Sequence, residues 1–181
     1  MIIRIIIGSI FFAFVLSCPV FGGETPEKTL MDYLGHDFLG ERLSHKSSSR
    51  IDKMETDSQF EPAWDTATLI TEYRIKFIKQ EGDKAVATVL FKNAWKITGK
   101  AKFNPGEVKD EMVNVHMVRV NSCWKVSPPF YQPHVQVLPL IKHYEKLIQD
   151  AKHSIADRAY IDYTQSELDN IQMYNRSFGS Q

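Results

Sequence analysis

The stretch EMVNVHMVRVNSCWKVS, residues 111–127, decides the fold because it carries the clearest strand-turn-strand pattern in the chain. Apolar and polar residues alternate from Val113 to Met117, which is the pattern of a half-buried strand. The phase changes after Met117, and we expect a β-bulge at Met117-Val118 to reconcile the two halves. A tight turn at Asn121-Ser122 leads to a returning strand. An isolated hairpin is only marginally stable in water, so this one needs neighbouring strands and a covering layer.

Two earlier strand patterns supply the neighbours. Apolar residues alternate with charged ones from Leu69 to Phe77, and a turn follows at residues 80–83. The next pattern, interrupted only by Asn93, places these apolar residues on one face: Ala85, Ala87, Val89, Phe91, Trp95 and Ile97. A straight strand of this length would span about 45 Å. We therefore expect the strand to bend at Asn93.

Helical patterns flank the strands. Thr25-Pro26-Glu27 is a helix start, with a capping side chain, a proline in the first turn and an acidic residue near the positive end of the dipole. Apolar residues continue at helical spacing to Phe38, and a weaker second helix is predicted over residues 41–54. After the sheet, an apolar stripe predicts a helix over residues 138–163: Ile141, Tyr144, Ile148, Ala151 and Ile155. Thr164-x-x-Glu167 resembles a capping box that opens a last short helix.

Composition narrows the class of protein. The chain has 181 residues, 43% of them hydrophobic, which suits one domain with a sizeable core. Because 22 basic residues balance 22 acidic ones, nothing in the overall charge favours a nucleic-acid partner. The two cysteines cannot build a disulfide framework or a cysteine-based zinc site. The motifs of P-loop enzymes, dinucleotide-binding folds and serine hydrolases are missing from the sequence.

The N-terminus predicts export. Arg4 precedes an apolar run from Ile5 to Leu16, which has the length of a signal-peptide core rather than of a membrane span. Gly22-Gly23 fits a signal peptidase site, so residues 1–23 would be removed. Alternatively, the residues before Cys18 resemble a bacterial lipobox, and lipidation of Cys18 would anchor the protein to a membrane. Either alternative places the protein in the periplasm or cell envelope.

The order of elements and one short motif carry a family resemblance. Two helices precede a meander of long bent strands, and the run NSCWKVSP, residues 121–128, closes it. This run resembles the closing hairpin of nuclear transport factor 2-like proteins, whose last strand often reads Trp-Lys-Ile/Val after a short turn. The resemblance covers residues 25–129 and implies a curved antiparallel sheet wrapped around helices, forming a cone with a pocket. It implies no single activity, because this fold hosts enzymes, ligand binders and assembly modules.

His116 is the best candidate for acid-base chemistry, since it lies on the central strand and an imidazole titrates near neutrality. The alternative is a solvent-facing histidine opposite Val113 and Val115, and we favour it because no carboxylate is paired with His116 by the sequence. His36 and Asp37 are adjacent on a helix, point about 100° apart and are expected to be solvated. The remaining candidates are a reactive or buried inert thiol at Cys123 and three tail histidines without metal-ligand spacing: His134, His143 and His153.

Two binding surfaces are predicted on the sheet. Aromatic residues near the centre could line a pocket for an apolar ligand or fill the core, and with His116 they form the pocket candidates: Tyr73, Trp95, His116 and Trp124. Basic residues on the polar side form either a positive surface for an anionic partner or a solvated outer face: Arg74, Lys76, Lys84, Lys92 and Lys96. We expect neither a metal nor a cofactor.

Together these patterns predict an α+β protein with N-terminal helices on a curved antiparallel meander. The domain would span residues 24–134, and residues 135–181 would form a helical C-terminal extension. The leading functional hypothesis is an exported, non-catalytic binding or assembly module, which contacts an envelope protein or a second copy through the C-terminal helix. The alternatives are an isomerase- or dehydratase-type enzyme using the cone pocket and a carrier of an apolar ligand.

Overall fold

The structure, a computed structural model, describes residues 23–43, 50–56, 66–97, 102–153 and 158–179. The helices in these ranges are α1 Pro26–Phe38, α2 Arg50–Met54, α3 Val137–His153 and α4 Arg158–Phe178, with short 3₁₀ turns at Glu41–Leu43 and Pro105–Glu107. The strands are β1 Thr68–Leu69, β2 Glu72–Glu81, β3 Lys84–Lys96, β4 Lys109–Val120, β5 Cys123–Ser127 and β6 His134–Val135. The predicted α+β class is confirmed.

The strands form one six-stranded open sheet in the order β5-β4-β3-β1-β6. Strand β2 also pairs with β3, on the same side as β1, so that β1 and β2 share one edge of the long central strand. The pairs from β2 to β5 are antiparallel, as the predicted meander requires, and β6 adds a parallel pair to β1. The β4–β5 turn is tight because Asn121 and Ser122 both have positive φ, of 50° and 68°.

Helix α1 covers one face of the sheet, which we call the inner face. Its start agrees with the prediction, since the Thr25 side chain accepts the N–H of Lys28 at 3.2 Å. The apolar stripe of α1 packs against residues of β3, β4 and β5 in one core: Leu30, Tyr33 and Leu34 from the helix, Val89, Phe91, Val115, Met117 and Trp124 from the strands. The space that the resemblance gives to a hollow is occupied here by large side chains.

At Asn93, the side chains of strand β3 change the face of the sheet to which odd-numbered positions point. It has a positive φ of 52°, and the pairing register with β4 shifts between Phe91 and Ala94. Asparagine tolerates this conformation better than most residues, and its side chain donates to the Thr71 hydroxyl at 3.0 Å. The predicted bend at Asn93 is confirmed. The single face predicted for the strand is wrong, because Ala94 stays in the α1 core whereas Trp95 points to the opposite, outer face.

Helices α3 and α4 cover the outer face beyond this bend. Leu69, Trp95 and Val135 of the sheet pack there with Ile171 and Tyr174 of α4 in a second core. The Tyr174 hydroxyl also donates to the backbone carbonyl of Asn93 at 2.7 Å, so the helix end is fixed at the bend itself. The apolar stripe of the C-terminal helices is therefore used within this chain. A partner bound through these helices stays a prediction.

Several predicted boundaries differ from the structure. The register between β3 and β4 runs without a shift through Met117-Val118, so the bulge predicted there is wrong. Val118 and Val120 are instead ordinary outward residues. Helix α3 is described to His153 and α4 from Arg158. Thr164 is inside α4, where its hydroxyl donates to the Tyr160 carbonyl at 2.7 Å, so it does not cap the start of this helix.

The predicted leader falls outside the described residues, as do Cys18 and Ile155. The described part begins at Gly23, whose carbonyl accepts the backbone N–H of Trp124 at 3.2 Å. Of the helices in the described ranges, none is both long and apolar enough to cross a bilayer.

The second core generates a stability prediction. Ile171→Ala should lower the free energy of unfolding by about 2–5 kcal/mol, because it opens a cavity at a fully buried position between α4 and the sheet. Leu138→Ala is the matched control on α3, where the side chain is 54% exposed, and should cost about 0.5 kcal/mol or less. Urea unfolding measures both. Equal losses in the two variants would contradict the packing of α4 on the sheet.

Candidate functional site

Charged and phenolic side chains are buried where α1 meets the inner face near β6. We call this group the buried polar cluster: Tyr33, Asp37, Arg42, Glu55, Tyr131 and His134. Burying charge in a protein is costly unless partners and hydrogen bonds compensate for the lost hydration. The contacts of each member therefore show how its burial is compensated and which segments of the chain it connects.

Asp37 connects three segments of the chain. Its Oδ2 accepts the backbone N–H of His134 at 3.1 Å and the Nη1–H of Arg42 at 3.3 Å. Arg42 also donates through Nη2 to the carbonyl of Tyr131 at 2.5 Å. Helix α1, the 3₁₀ turn after it and the segment that enters β6 are thus held at one carboxylate.

Aromatic rings enclose the Arg42 guanidinium. Its central carbon lies 5.7 Å from the ring centroid of Tyr33 and 5.1 Å from that of Tyr131, within the range of cation–π attraction. The Tyr33 hydroxyl donates to Oε1 of Glu55 at 2.8 Å. Burial raises the pKa of both phenols well above their ordinary value of 10.0, so both remain neutral at physiological pH.

Burial also raises the pKa of the Asp37 carboxyl above its ordinary value of 3.8, while the Arg42 charge and then His134 oppose the rise. The carboxylate is therefore held by its partners against the cost of desolvation. The expectation of a solvated Asp37 is wrong, since the residue is 1% exposed. A signal was available in the sequence, because Asp37 falls seven residues after Leu30 on the stripe that also carries Tyr33 and Leu34.

His134 links the cluster to strand β4. Its ring is 1% exposed and stacks on Phe91, with centroids 3.9 Å apart and planes inclined by 17°. Nδ1 lies 2.8 Å from the carbonyl oxygen of Gln132, and Nε2 lies 3.3 Å from Oε2 of Glu111. A carbonyl and a carboxylate are both acceptors, so each ring nitrogen of His134 faces an oxygen that can receive a hydrogen bond. The geometry connects the buried ring of His134 to the carboxylate of Glu111.

Glu111 is the accessible end of this pair. Its side chain is 43% exposed, in contrast to the buried imidazole behind it. The hydrogen bond from His134 lowers the pKa of the Glu111 carboxyl below its ordinary value of 4.5, and the charges of His134, Lys109 and Lys96 lower it further. Glu111 is therefore ionised and fixed in position at neutral pH.

A cleft of about 660 Å³ opens beside Glu111 near the bend of β3, with lining residues from both faces of the sheet, and we call it the inner cleft. Its size lies within the range of small-molecule sites, which is about 300–1,000 Å³. The lining mixes both signs of charge with apolar surface: Thr68, Ala94, Trp95, Lys96, Glu107, Lys109, Asp110, Glu111, Met112 and Gln132. Glu111 is the member of the His134–Glu111 pair that lines the cleft.

The predicted pocket residues are not brought together. Trp124 is fully buried in the α1 core, Tyr73 packs at the margin of that core against Phe38, and Trp95 belongs to the second core. His116 lies on the outer face, since it alternates with the inward residues Val115 and Met117 and pairs with Val86. An inner-face ligand is therefore out of its reach.

The predicted basic face divides between two sides of the sheet. Arg74 pairs with Glu72 at 2.6 Å and Lys92 pairs with Asp110 on the outer face, whereas Lys96 lines the inner cleft. The other members, Lys76 and Lys84, are exposed. Arg74 and Lys92 are therefore neutralised by acidic partners, and the five residues do not form one positive surface.

The remaining candidates lie apart from the cluster. His36 contacts Glu41 at 2.6 Å on the far side of α1, and His143 and His153 lie on α3. Within the described ranges, no group of three or more His, Cys, Asp or Glu side chains is arranged to hold a metal ion. Cys123 is buried, with 3% of the residue exposed.

Sequence reasoning missed His134, Arg42 and Glu111. The residues that meet here are far apart along the chain, with 97 positions between Asp37 and His134 and 23 between Glu111 and His134. No periodicity or spacing connects them. The one local sign is the acidic residue on the apolar stripe of α1.

The Asp37–Arg42 pair generates a stability prediction. Asp37→Ala should lower the free energy of unfolding by about 3–5 kcal/mol, because it removes the carboxylate partner of a buried guanidinium. Glu72→Ala is the matched control, since it breaks an exposed pair with Arg74 and should leave the free energy of unfolding nearly unchanged. Denaturant unfolding of both variants measures the contrast, and a loss for Asp37→Ala no larger than the control would refute the role of Asp37.

The lowered pKa of Glu111 generates a pH prediction. A carboxyl whose folded-state pKa is depressed stabilises the protein above its unfolded-state pKa, and this contribution is lost as pH falls through the folded value. Wild type should therefore exceed Glu111→Gln in stability at pH 7, and the difference should vanish in acid below the ordinary value of 4.5. Thermal unfolding from pH 3 to pH 8 measures this; a difference independent of pH would show that charge is not involved.

Comparisons with known proteins identify no relative that could assign a role to this site. No family model, curated protein or solved structure matches this chain. The arrangement itself offers a fixed carboxylate, two neighbouring lysines and an open cleft.

Proposed function

We propose that this protein is a non-catalytic binding module that takes a small polar ligand in the inner cleft. The observation that carries the proposal is the His134–Glu111 pair, in which a buried imidazole contacts a partly exposed carboxylate that lines the cleft. Stable binding sites use polar groups whose positions are fixed before the ligand arrives. The buried polar cluster behind His134 supplies that rigidity.

The same geometry suits binding better than proton transfer. A general acid or base must reach the substrate and exchange a proton near the working pH. His134 is enclosed and both of its ring nitrogens are engaged, and the depressed pKa of Glu111 makes it a weak base. His116, the residue on which the isomerase or dehydratase alternative depends, lies on the outer face. A carrier of an apolar ligand is also less well supported, since charged side chains line the cleft.

The proposal includes a nuclear transport factor 2-like family assignment and export from the cytoplasm. The helix on the concave side of a bent antiparallel meander supports a nuclear transport factor 2-like assignment, to which the helices after Val137 would be an addition. The charged start and apolar run before Gly22 support export to the periplasm or envelope, with lipidation at Cys18 as the alternative route to the membrane. A binding module in that compartment would act on a solute or partner outside the cytoplasm.

A fragment screen by NMR tests the binding site. Fragments that bind the wild-type protein should shift the backbone amides of Thr68, Lys96, Glu111 and Gln132 more than those elsewhere. Lys109→Trp should weaken the shared fragments by about tenfold or more, because it fills the exposed wall of the cleft.

The matched control is Lys79→Trp on β2, where the lysine is exposed at a distance from the inner cleft. It should leave the shifts unchanged. Fragments that collect at another surface, or that bind equally to both tryptophan variants, would refute the inner cleft as the binding site.

A further inference from the structure

We propose that the inner cleft selects a small zwitterion, a molecule with a free amine and a free carboxylate, such as an amino acid or a short peptide. This inference rests on the proposed function and adds the chemical class of the ligand. It follows from the charges that remain available in the cleft once the internal pairs of the protein are accounted for.

The acceptor for the amine is Glu111. Its Oε2 is used by His134 from behind, and the carboxylate is otherwise open to the cleft. The other acidic side chains of the lining are engaged, since Asp110 accepts from Lys92 and from the backbone N–H of Asn93, and Glu107 accepts from the Asn104 amide. Glu111 is therefore the carboxylate of the lining that is best placed to receive an ammonium group.

The donors for the carboxylate are Lys109 and Lys96. Neither lysine forms an ion pair with any residue of the described ranges, although both line the cleft. Lys109 lies two residues before Glu111 on β4, so that the two side chains share the inner face and their backbones are about 7 Å apart. Lys96 lies on the neighbouring strand β3. Opposite charges thus follow one another along the cleft at the spacing of a small molecule.

Apolar residues form part of the cleft wall. Ala94, Trp95 and Met112 line the cleft together with the lysines, and Met112 is 71% exposed. Such a wall suits the short carbon chain or peptide unit that separates the two charged ends of a zwitterion. A dicarboxylate would leave Glu111 without a partner and a diamine would do the same to the lysines, and each mismatch carries the cost of bringing like charges together.

Calorimetric titration with a matched set of dipeptides tests the inference. The probes are glycylglycine, N-acetylglycylglycine, which lacks the amine, and glycylglycine amide, which lacks the carboxylate. Glycylglycine should bind at least about tenfold more tightly than either capped form, because each cap removes a charge-assisted hydrogen bond. Glu111→Gln should abolish the preference for the free amine alone. Lys96→Met with Lys109→Met should abolish the preference for the free carboxylate alone.

Glu72→Gln, on the outer face, is the control and should bind all three probes as wild type does. Equal binding of capped and free dipeptides, or no binding of glycylglycine, would overturn the zwitterion inference. The proposed function would stand in that case if the NMR fragments still collect in the inner cleft. It would fall, and the inference with it, if they do not.

Discussion

The carboxylate of Asp37 is the constraint on which the rest of the structure depends. One oxygen receives a guanidinium from the turn after α1 and a backbone N–H from the start of β6. Hydration lost by a buried ion pair often exceeds the attraction between its charges, so this pair is not a source of surplus stability. Its hydrogen bonds are directional, so they fix the orientation of α1, the following turn and β6 relative to one another, which non-directional hydrophobic contacts do not do. The position of β6, and therefore of His134, follows from that relation.

This constraint extends from the core to the surface in two steps. The backbone of His134 is fixed by Asp37, and its ring, stacked on Phe91, fixes Glu111. The accessible carboxylate is therefore connected to the core through the His134 ring. Arg42 and the two tyrosines around it bury the Asp37 carboxylate, and the low local dielectric strengthens its electrostatic contacts. A surface site supported in this way needs little rearrangement when a ligand binds.

Local patterns in the sequence predicted those features that depend only on residues close together along the chain. The cap of α1, the positive-φ turn at Asn121-Ser122 and the bend at Asn93 each depend on neighbouring residues, and each is present. The site was beyond prediction because its members meet only after the sheet has curved. Trp95 shows the same limit. The period-two pattern predicted that Trp95 and Phe91 lie on the same face of the sheet, but the extra residue at the bend places Trp95 on the opposite face. The wrong bulge at Met117-Val118 arose from treating two outward valines as a change of phase.

The reversal at Asn93 has a consequence for how such a chain can change over generations. Upstream of this residue β3 belongs to the layer under α1, and downstream it belongs to the layer under α4. A single inserted codon is sufficient to turn a strand that serves one layer into a strand that serves two. A terminal helical segment could then be accommodated without altering the half of the sheet under α1, because the alternation before the insertion is untouched.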